Sequence, residues 1–190
     1  MAYQTYITEA IVCGSKDYQT SDRSFLLFTE EAGMLWATAR SVRVEKSKQR
    51  YALQDFSIIR VSLIKGKSGW RIGSVEAISN PFMEAQTRSA RASIQKTIKM
   101  MRRFLHGTEP YPLIYRDAVM ALSCLEVAEG RDVIDLSDLF ALRMLYNLGY
   151  IALDDSFKEI ITSQDPWSIY ISLPPLAHQT IEKAVMASHL

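Results

Sequence analysis

The chain has 190 residues, of which 48% are apolar and 23% charged, and its 22 Lys and Arg nearly balance its 21 Asp and Glu at a net charge of +1. These values are those of an ordinary soluble globular protein of one or two domains. No apolar run approaches the roughly 18 residues of a membrane span, and the first residues lack the pattern of a signal peptide. Two widely separated cysteines predict free, buried thiols in a cytoplasmic protein.

Alternating apolar and polar residues predict five β-strands in the first eighty residues. The predicted strands cover residues 5–14, 21–33, 34–42, 56–69 and 70–78, with a hairpin turn at residues 66–69. In the third strand Leu35, Ala37 and Ala39 share one face, and Trp36, Thr38 and Arg40 share the other. In the fourth strand Ile59, Val61 and Leu63 would point inward. The longer link between the third and fourth strands suits an OB-type barrel, although an SH3-like barrel or an open sheet also fits this pattern.

Asn80-Pro81 marks the predicted domain boundary, because proline interrupts strand pairing and the apolar period becomes helical beyond it. Helices are predicted over residues 84–105, 112–129 and 135–150, and a last one after Pro174-Pro175. The third is apolar nearly all round and is expected to be the most buried, with Asp135 or Ser137 as its N-cap and Gly149 as its stop. The sequence therefore predicts an α+β chain with an OB-fold β-barrel at 1–80 and an α-helical domain at 81–190.

Positive charge is concentrated in one part of this nearly neutral chain. Between Arg40 and Arg103 there are fifteen Lys or Arg residues, against only Glu45, Asp55, Glu76 and Glu84. Single-stranded nucleic acid is held by a cationic groove together with aromatic faces that stack on bases. The predicted DNA-binding residues are Trp36, Arg40, Arg43, Lys46, Lys48, Arg50, Arg60, Lys65, Lys67 and Arg71. The alternative is a solvated charged loop, with Trp36 and Trp70 plugging the barrel.

Motifs of catalysis are absent from the sequence. There is no nucleophile elbow and no phosphate loop, and His106, His178 and His189 have no partners at metal-ligand spacing. We therefore expect no enzyme, no metal and no cofactor. Two alternatives to DNA binding remain: a protein-interaction module with an OB-type barrel, and a hydrolase built on Asp154, Asp155 or Glu159.

The first eighty residues carry fragments that resemble the bacterial recombination mediator family RecO. They are "TEAIV" at 8–12, "SKDY" with "SDR", "LFT" with "ExG", and "AxARxxR" leading to "LQxF". "LFALRMLYNLGYI", at 139–151, is similar to the central helix of that family's C-terminal domain. Their order and spacing make the resemblance specific for the barrel and looser for the remainder.

The resemblance implies an OB-fold followed by an α-helical domain, working in the cytoplasm at the nucleoid. It implies binding of single- and double-stranded DNA, annealing of strands, and loading of a recombinase onto DNA coated by single-strand binding protein. The implied protein partners are RecR and the acidic C-terminal tail of the single-strand binding protein. Candidate residues for partner binding are Arg88, Arg91, Lys99, Arg102 and Arg143, although pairing within the fold is the preferred interpretation for Arg143.

Two departures from the family pattern carry expectations of their own. Many members have a four-cysteine zinc module after the "LGY" helix, whereas residues 152–174 here contain no cysteine, so zinc is not expected. The chain is also short for the family, so part of the helical domain is expected to be trimmed. Both departures bear on the partner surfaces more than on the barrel.

Overall fold

The computed structural model of the chain describes residues 5–67, 69–167 and 172–188. Ser68 of the predicted hairpin turn, residues 168–171 and His189 lie outside this part. In chain order the elements are β1 Thr5–Asp17, β2 Arg23–Thr29, β3 Gly33–Ala39, α1 Gln49–Ala52, β4 Ile58–Gly66, β5 Gly69–Ser79, α2 Pro81–Glu84, α3 Arg88–Phe104, α4 Pro112–Val127, α5 Asp132–Asn147, α6 Lys158–Thr162 and α7 Pro175–Ala187.

The five strands close into a barrel in the order β1-β2-β3-β5-β4. Only β3 and β5 run parallel, pairing Ala37 with Trp70 and Thr38 with Arg71, and the other pairs are antiparallel. Closure leaves no unpaired edge strand, and this arrangement is the OB-type barrel that the sequence predicts. The open sheet and the SH3-like barrel are thereby excluded.

The barrel interior follows the predicted alternation. Leu35, Ala37 and Ala39 of β3 are buried in one apolar cluster with Ile59, Val61 and Leu63 of β4. Their neighbours Trp36 and Arg60 point outward and are exposed. Side chains of successive strand residues alternate between the two faces, so the parity of the sequence alone separates core from surface here.

Gly33 shows how one end of the β2–β3 surface is covered. Gly33 is the first residue of β3 and has a φ of +62°. A Cβ at this position would collide with the carbonyl oxygens of Gly107 and Glu109. The main chain of residues 105–115 therefore lies directly against β3, and the Met34 N–H donates to the Gly107 carbonyl at 2.9 Å. The Phe28 and Tyr115 rings pack 5.6 Å apart on the same side. The other end of this surface, at Trp36, stays open.

The chain divides into two compact units, Met1–Met83 with Leu105–Tyr115, and Glu84–Phe104 with Arg116–Leu190. The first contains the barrel and the second most of the helices. The boundary at residues 80/81 was inferred from the sequence pattern, and the division of the chain there into two domains stays a prediction.

Helix α5 is the centre of the second unit, as its apolar sequence predicts. It packs against α3, α6 and α7, and Phe140, Leu142 and Leu145 are fully buried. Gly149, with φ of +78°, ends it: the Gly149 N–H donates to Tyr146 and the Tyr150 N–H to Leu145, a Schellman motif.

The predicted start of α5 is wrong. The helix begins at Asp132, so neither Asp135 nor Ser137 is its N-cap. Gly130, with φ of +58°, turns the chain immediately before it. Asp132 and Asp135 instead lie in the first turn, where carboxylates favour the positive end of the helix dipole. The short helices α1, α2 and α6 are not predicted from the sequence, since about one turn is too short to show a period.

Candidate nucleic-acid interface

A row of polar side chains crosses four strands on the outer side of the barrel. The register pairs Lys16 with Ser24, Ser24 with Thr38, and Thr38 with Arg71. Paired residues of adjacent strands project to the same side of a sheet. The Ser24 and Thr38 hydroxyls are 3.0 Å apart at the centre of the row. Together with Trp36, these four residues define what we call the Trp36 face.

Trp36 is the exposed aromatic residue of this face. Its side chain is 40% exposed, and the Lys16 ammonium lies 4.1 Å from its ring centroid. An aromatic plane beside a cation is the pairing that holds a base and its phosphate. Trp70 instead helps to fill the barrel: it packs against the barrel core, and its ring meets the Tyr6 ring edge-on, with the centroids 5.5 Å apart.

The basic loop, residues 40–50, begins where β3 ends. It is folded back onto the barrel, because the Ser41 N–H donates to Asp22 at 2.8 Å and the Gln49 side chain donates to the Gly73 carbonyl at 2.7 Å. Arg40, Lys46 and Lys48 project from it and are exposed. A tethered main chain with free cationic side chains suits contact with a flexible phosphate backbone.

Two further arginines of the loop turn toward the barrel instead. Arg43 Nη1 lies 3.4 Å from the Asp17 carboxylate, which Arg23 also meets at 3.0 Å. Arg50 donates to the Tyr51 hydroxyl at 2.9 Å. Arg23, Arg43 and Arg50 line a cavity of about 260 Å³, whose remaining lining is Phe25, Val42 and Leu53. We call it the arginine pocket.

The other predicted cations of the barrel differ in how far nearby carboxylates neutralise them. Arg60 pairs with Glu9 at 3.2 Å on the outside of β4, and Glu76 lies opposite it on β5. Its charge is therefore offset locally. Lys65 and Lys67 are exposed around the β4–β5 hairpin, which leads into β5 beside Ala37 and Thr38.

Three charged residues close to this surface, Lys16, Asp17 and Arg23, are not among the predicted site residues. The sequence pattern predicts that the first strand ends at Gly14, whereas β1 continues to Asp17 beyond a register shift between Val12 and Gly14. The alternation of Ser15, Lys16 and Asp17 after that glycine indicates that the strand continues and that Lys16 faces outward. No local pattern predicts the Asp17–Arg23 ion pair, because it depends on the β1–β2 register.

In the second unit, most of the predicted partner residues lie on α3. Arg88, Lys99 and Arg102 are exposed, and Arg91 donates to the Ala85 carbonyl at 2.9 Å. A cavity of about 290 Å³ is lined by Lys96, Lys99, Met100, Arg103, Phe104, His178, Ile181, Glu182 and Val185. Its lining combines apolar side chains with three cations and the carboxylate of Glu182, and Lys99 is the predicted residue that it includes.

Arg143 has a structural role. It is buried in α5, and its Nε donates to Asp117 at 2.8 Å. Its Nη1 donates to the carbonyls of Ile160, Ile161 and Ser163. Since a buried charge needs such partners, this is the internal pairing preferred from the sequence, and we leave Arg143 out of the partner surface below.

Asp138 joins three helices of the second unit. Its buried carboxylate lies 3.2 Å from Lys96 Nζ of α3 and 2.8 Å from His178 Nδ1 of α7. The hydrogen bond with Asp138 and its negative charge raise the pKa of the His178 imidazole above its ordinary 6.5. Glu182, 3.3 Å from His178 Nε2, acts in the same direction.

Among the described residues no group of three or more His, Cys, Asp and Glu side chains could hold a metal ion. Cys13 is buried and Cys124 half-buried, and both keep the thiol form. Burial raises the pKa of the Cys124 thiol. No described helix has the length and apolar character to cross a membrane.

Comparison with known proteins returns one family. A family model described as "Recombination protein O N terminal" matches residues 1–81. The "DNA repair protein RecO" of Desulfitobacterium hafniense (strain DSM 10664 / DCB-2) is 29% identical over 148 residues, covering 76% of this chain and 52% of that protein. Proteins of the same name from Heliobacterium modesticaldum and Myxococcus xanthus are 27% and 28% identical, covering 87% and 67% of this chain. The matches span 61% and 52% of those two proteins, so the chain spans little more than half the length of these curated relatives.

Proposed function

The chain belongs to the RecO family of DNA repair proteins, and on that premise we propose that it is a DNA-binding recombination mediator. Its barrel would bind single- and double-stranded DNA, promote annealing of complementary strands, and help to load a recombinase onto coated single strands. Such a protein works at the nucleoid in the cytoplasm. We base that location on the function alone.

The observation that carries the proposal is the Trp36 face beside the basic loop. The face carries the exposed Trp36 indole with the Lys16 ammonium over its ring. The exposed cations Arg40, Lys46 and Lys48 lie in the loop that follows β3. Lysine and arginine that neutralise phosphates release counterions, while the aromatic plane stacks on a base without reading its identity. This chemistry predicts binding that depends on salt more than on sequence.

The annealing step follows from the same charges. Two strands bound to one cationic surface repel each other less, so pairing needs no nucleotide hydrolysis. The barrel's role in annealing is thus electrostatic, and it needs no catalytic group.

A second surface would serve the protein partners, a RecR-type protein and the C-terminal tail of single-strand binding protein. The cavity between α3 and α7 supports this for the tail, because acidic and aromatic residues at a chain end suit an apolar recess that cations also line. Phe104 and Ile181 line it together with Lys96, Lys99 and Arg103, and Glu182 is the acidic residue of the lining. Arg88, Arg91 and Arg102 lie on the same helix, and we retain them as neighbouring candidates.

The DNA-binding proposal is tested by fluorescence anisotropy of a labelled single strand over a salt series. If about four phosphates are neutralised, log affinity should fall against log salt with a slope near −3. In the variant Arg40→Glu/Lys46→Glu/Lys48→Glu the slope should become shallower by about 2, since each neutralised phosphate of a single strand contributes about 0.7.

The matched control reverses three exposed cations of the second unit, Arg116→Glu/Lys158→Glu/Lys183→Glu. It changes the net charge equally and should leave the slope intact. Weak binding that salt and both variants leave unchanged would contradict the proposal, and the barrel would then be a protein-interaction module with a solvated loop.

A further inference from the structure

The arginine pocket gathers more positive charge than its surroundings neutralise. Asp17 is shared by Arg23 and Arg43, at 3.0 and 3.4 Å. Arg50 forms no ion pair with a described carboxylate, and its guanidinium lies 4.8 Å from the Tyr51 ring centroid. Three guanidinium groups thus line one cavity, and among the described carboxylates Asp17 is the one within ion-pairing distance of them. An anion of charge −2 would balance them.

The floor of the pocket is apolar and fixed. Phe25, Val42 and Leu53 are buried members of the barrel core, so the floor of the pocket is part of the packed barrel. The pocket therefore differs from the Trp36 face, whose polar row lies across four strands. The three guanidinium groups above this floor favour the phosphate group with the larger negative charge.

Arginine is suited to a terminal phosphate for a second reason. Its planar fork donates two parallel hydrogen bonds to a phosphate, and a phosphate monoester carries close to two negative charges at neutral pH, against one for a diester. Arg23 lies at the start of β2, and Arg50 lies in α1. The pocket is consequently lined by arginines from β2, from the basic loop and from α1.

We propose that the arginine pocket binds the phosphate monoester at the end of a nucleic-acid strand. The proposal rests on the DNA binding proposed above, and it adds that the protein distinguishes a phosphorylated strand end from an unphosphorylated one. Arg43 and Arg50 hold the phosphate, and Arg23 supports Asp17 and completes the charge. The Trp36 face and the exposed loop cations bind the remainder of the strand.

The test compares strands on the order of ten nucleotides long, within the site size of one OB-fold. Each carries an internal fluorophore, so that both ends are free. One strand has hydroxyl groups at both ends, one a 5′-phosphate and one a 3′-phosphate. The wild-type protein should bind one phosphorylated strand roughly tenfold tighter than the hydroxyl strand, which one additional charge-assisted contact would supply. The two phosphorylated strands show which end is the ligand.

The variants separate the pocket from general charge. Arg43→Gln/Arg50→Gln should bind all three strands with nearly equal affinity. Arg50→Gln alone, whose side chain bonds to Tyr51 and to no other residue of the described part of the chain, should lose most of the preference without disturbing the Asp17 pairs. Lys46→Gln/Lys48→Gln removes as much charge from the loop, so it should weaken all binding yet keep the ratio between strands. Asp17→Asn should increase the ratio, because it removes the competing carboxylate.

Four results would overturn the proposal. Salt-dependent binding without preference for a phosphorylated end would overturn it and leave the DNA-binding function standing. A preference that survives in Arg43→Gln/Arg50→Gln would place the phosphate elsewhere. An acidic peptide that blocks the pocket against all strands alike would make it a protein site. Absence of salt-dependent binding to any strand would remove the DNA-binding function, and this inference with it.

Discussion

Trp36 and Trp70 show how one residue type takes two roles within one barrel. Ala37 pairs with Trp70 in the β3–β5 ladder, and Ala37 faces the core, so Trp70 faces it as well. Trp36 is one residue away from Ala37 and therefore faces outward. Its exposure comes from strand parity; Leu26 lies opposite it on β2, and the Lys16 ammonium lies over its ring.

At the residue scale, Trp36→Ala should weaken single-strand binding by about 1–3 kcal/mol, the value of stacking one base on an aromatic side chain. The salt slope should stay unchanged, because no charge is removed. Anisotropy titrations at two salt concentrations measure both quantities.

Trp70→Ala is the matched control for that substitution. It should lower the free energy of unfolding, since it leaves a cavity against the barrel core. Wild-type affinity in Trp36→Ala would show that bases do not stack on this face. A shallower salt slope would show that Trp36 acts by placing Lys16.

At the element scale, α7 is joined to α5 through His178 and Asp138 and to α3 through Arg103, which donates to the Val185 carbonyl at 2.9 Å. The charged groups around His178 are Asp138 of α5, Lys96 of α3 and Glu182 of its own helix. Because the pKa of His178 is raised in the folded state, its contribution to stability is fully present below about pH 6.5. It is lost as the pH rises through the folded-state pKa.

We therefore expect His178→Gln to destabilise the protein at pH about 5.5 and to have almost no effect at pH about 8.5. The difference should be small, roughly 0.5 kcal/mol, because the His178 side chain is 52% exposed and solvent screens the pair. Urea unfolding at both pH values measures it. An equal loss at both pH values for His178→Gln would mean that packing, and not protonation, holds α7.

At the scale of the whole molecule, a net charge of +1 hides the separation of charge along the chain. Steering of an anionic strand depends on the local field, which falls off over about 10 Å at 0.1 M salt. The local field of the exposed loop cations Arg40, Lys46 and Lys48 should therefore matter more for steering than the net charge of the chain. Annealing should follow the barrel's charge and not the charge of the chain.

We expect the protein to accelerate pairing of complementary strands without ATP, and to lose that effect in Arg40→Glu/Lys46→Glu/Lys48→Glu. The control Arg116→Glu/Lys158→Glu/Lys183→Glu has the same net charge and should anneal at the wild-type rate. Fluorescence quenching between strands labelled with a dye and a quencher follows the rate. Equal loss in both variants would attribute annealing to overall charge.

Elements whose signal is local can be predicted from the sequence. Strand parity placed Leu35, Ala37 and Ala39 inside the barrel, and the apolar period of α5 with Gly149 behind it gave the central helix and its end. These features depend on a side chain's position relative to its near neighbours in the chain, which periodicity records.

Which side chains meet across strands depends on the tertiary structure. Lys16 reaches Trp36, and Asp17 reaches Arg23 and Arg43, only because the β1–β2 register and the fold of the basic loop bring them there. Arg60 was grouped with the loop cations by sequence, yet the β1–β4 ladder sets it against Glu9. Charge counted along the chain cannot distinguish these cases, because ion pairing depends on distances of a few ångströms between residues far apart in sequence.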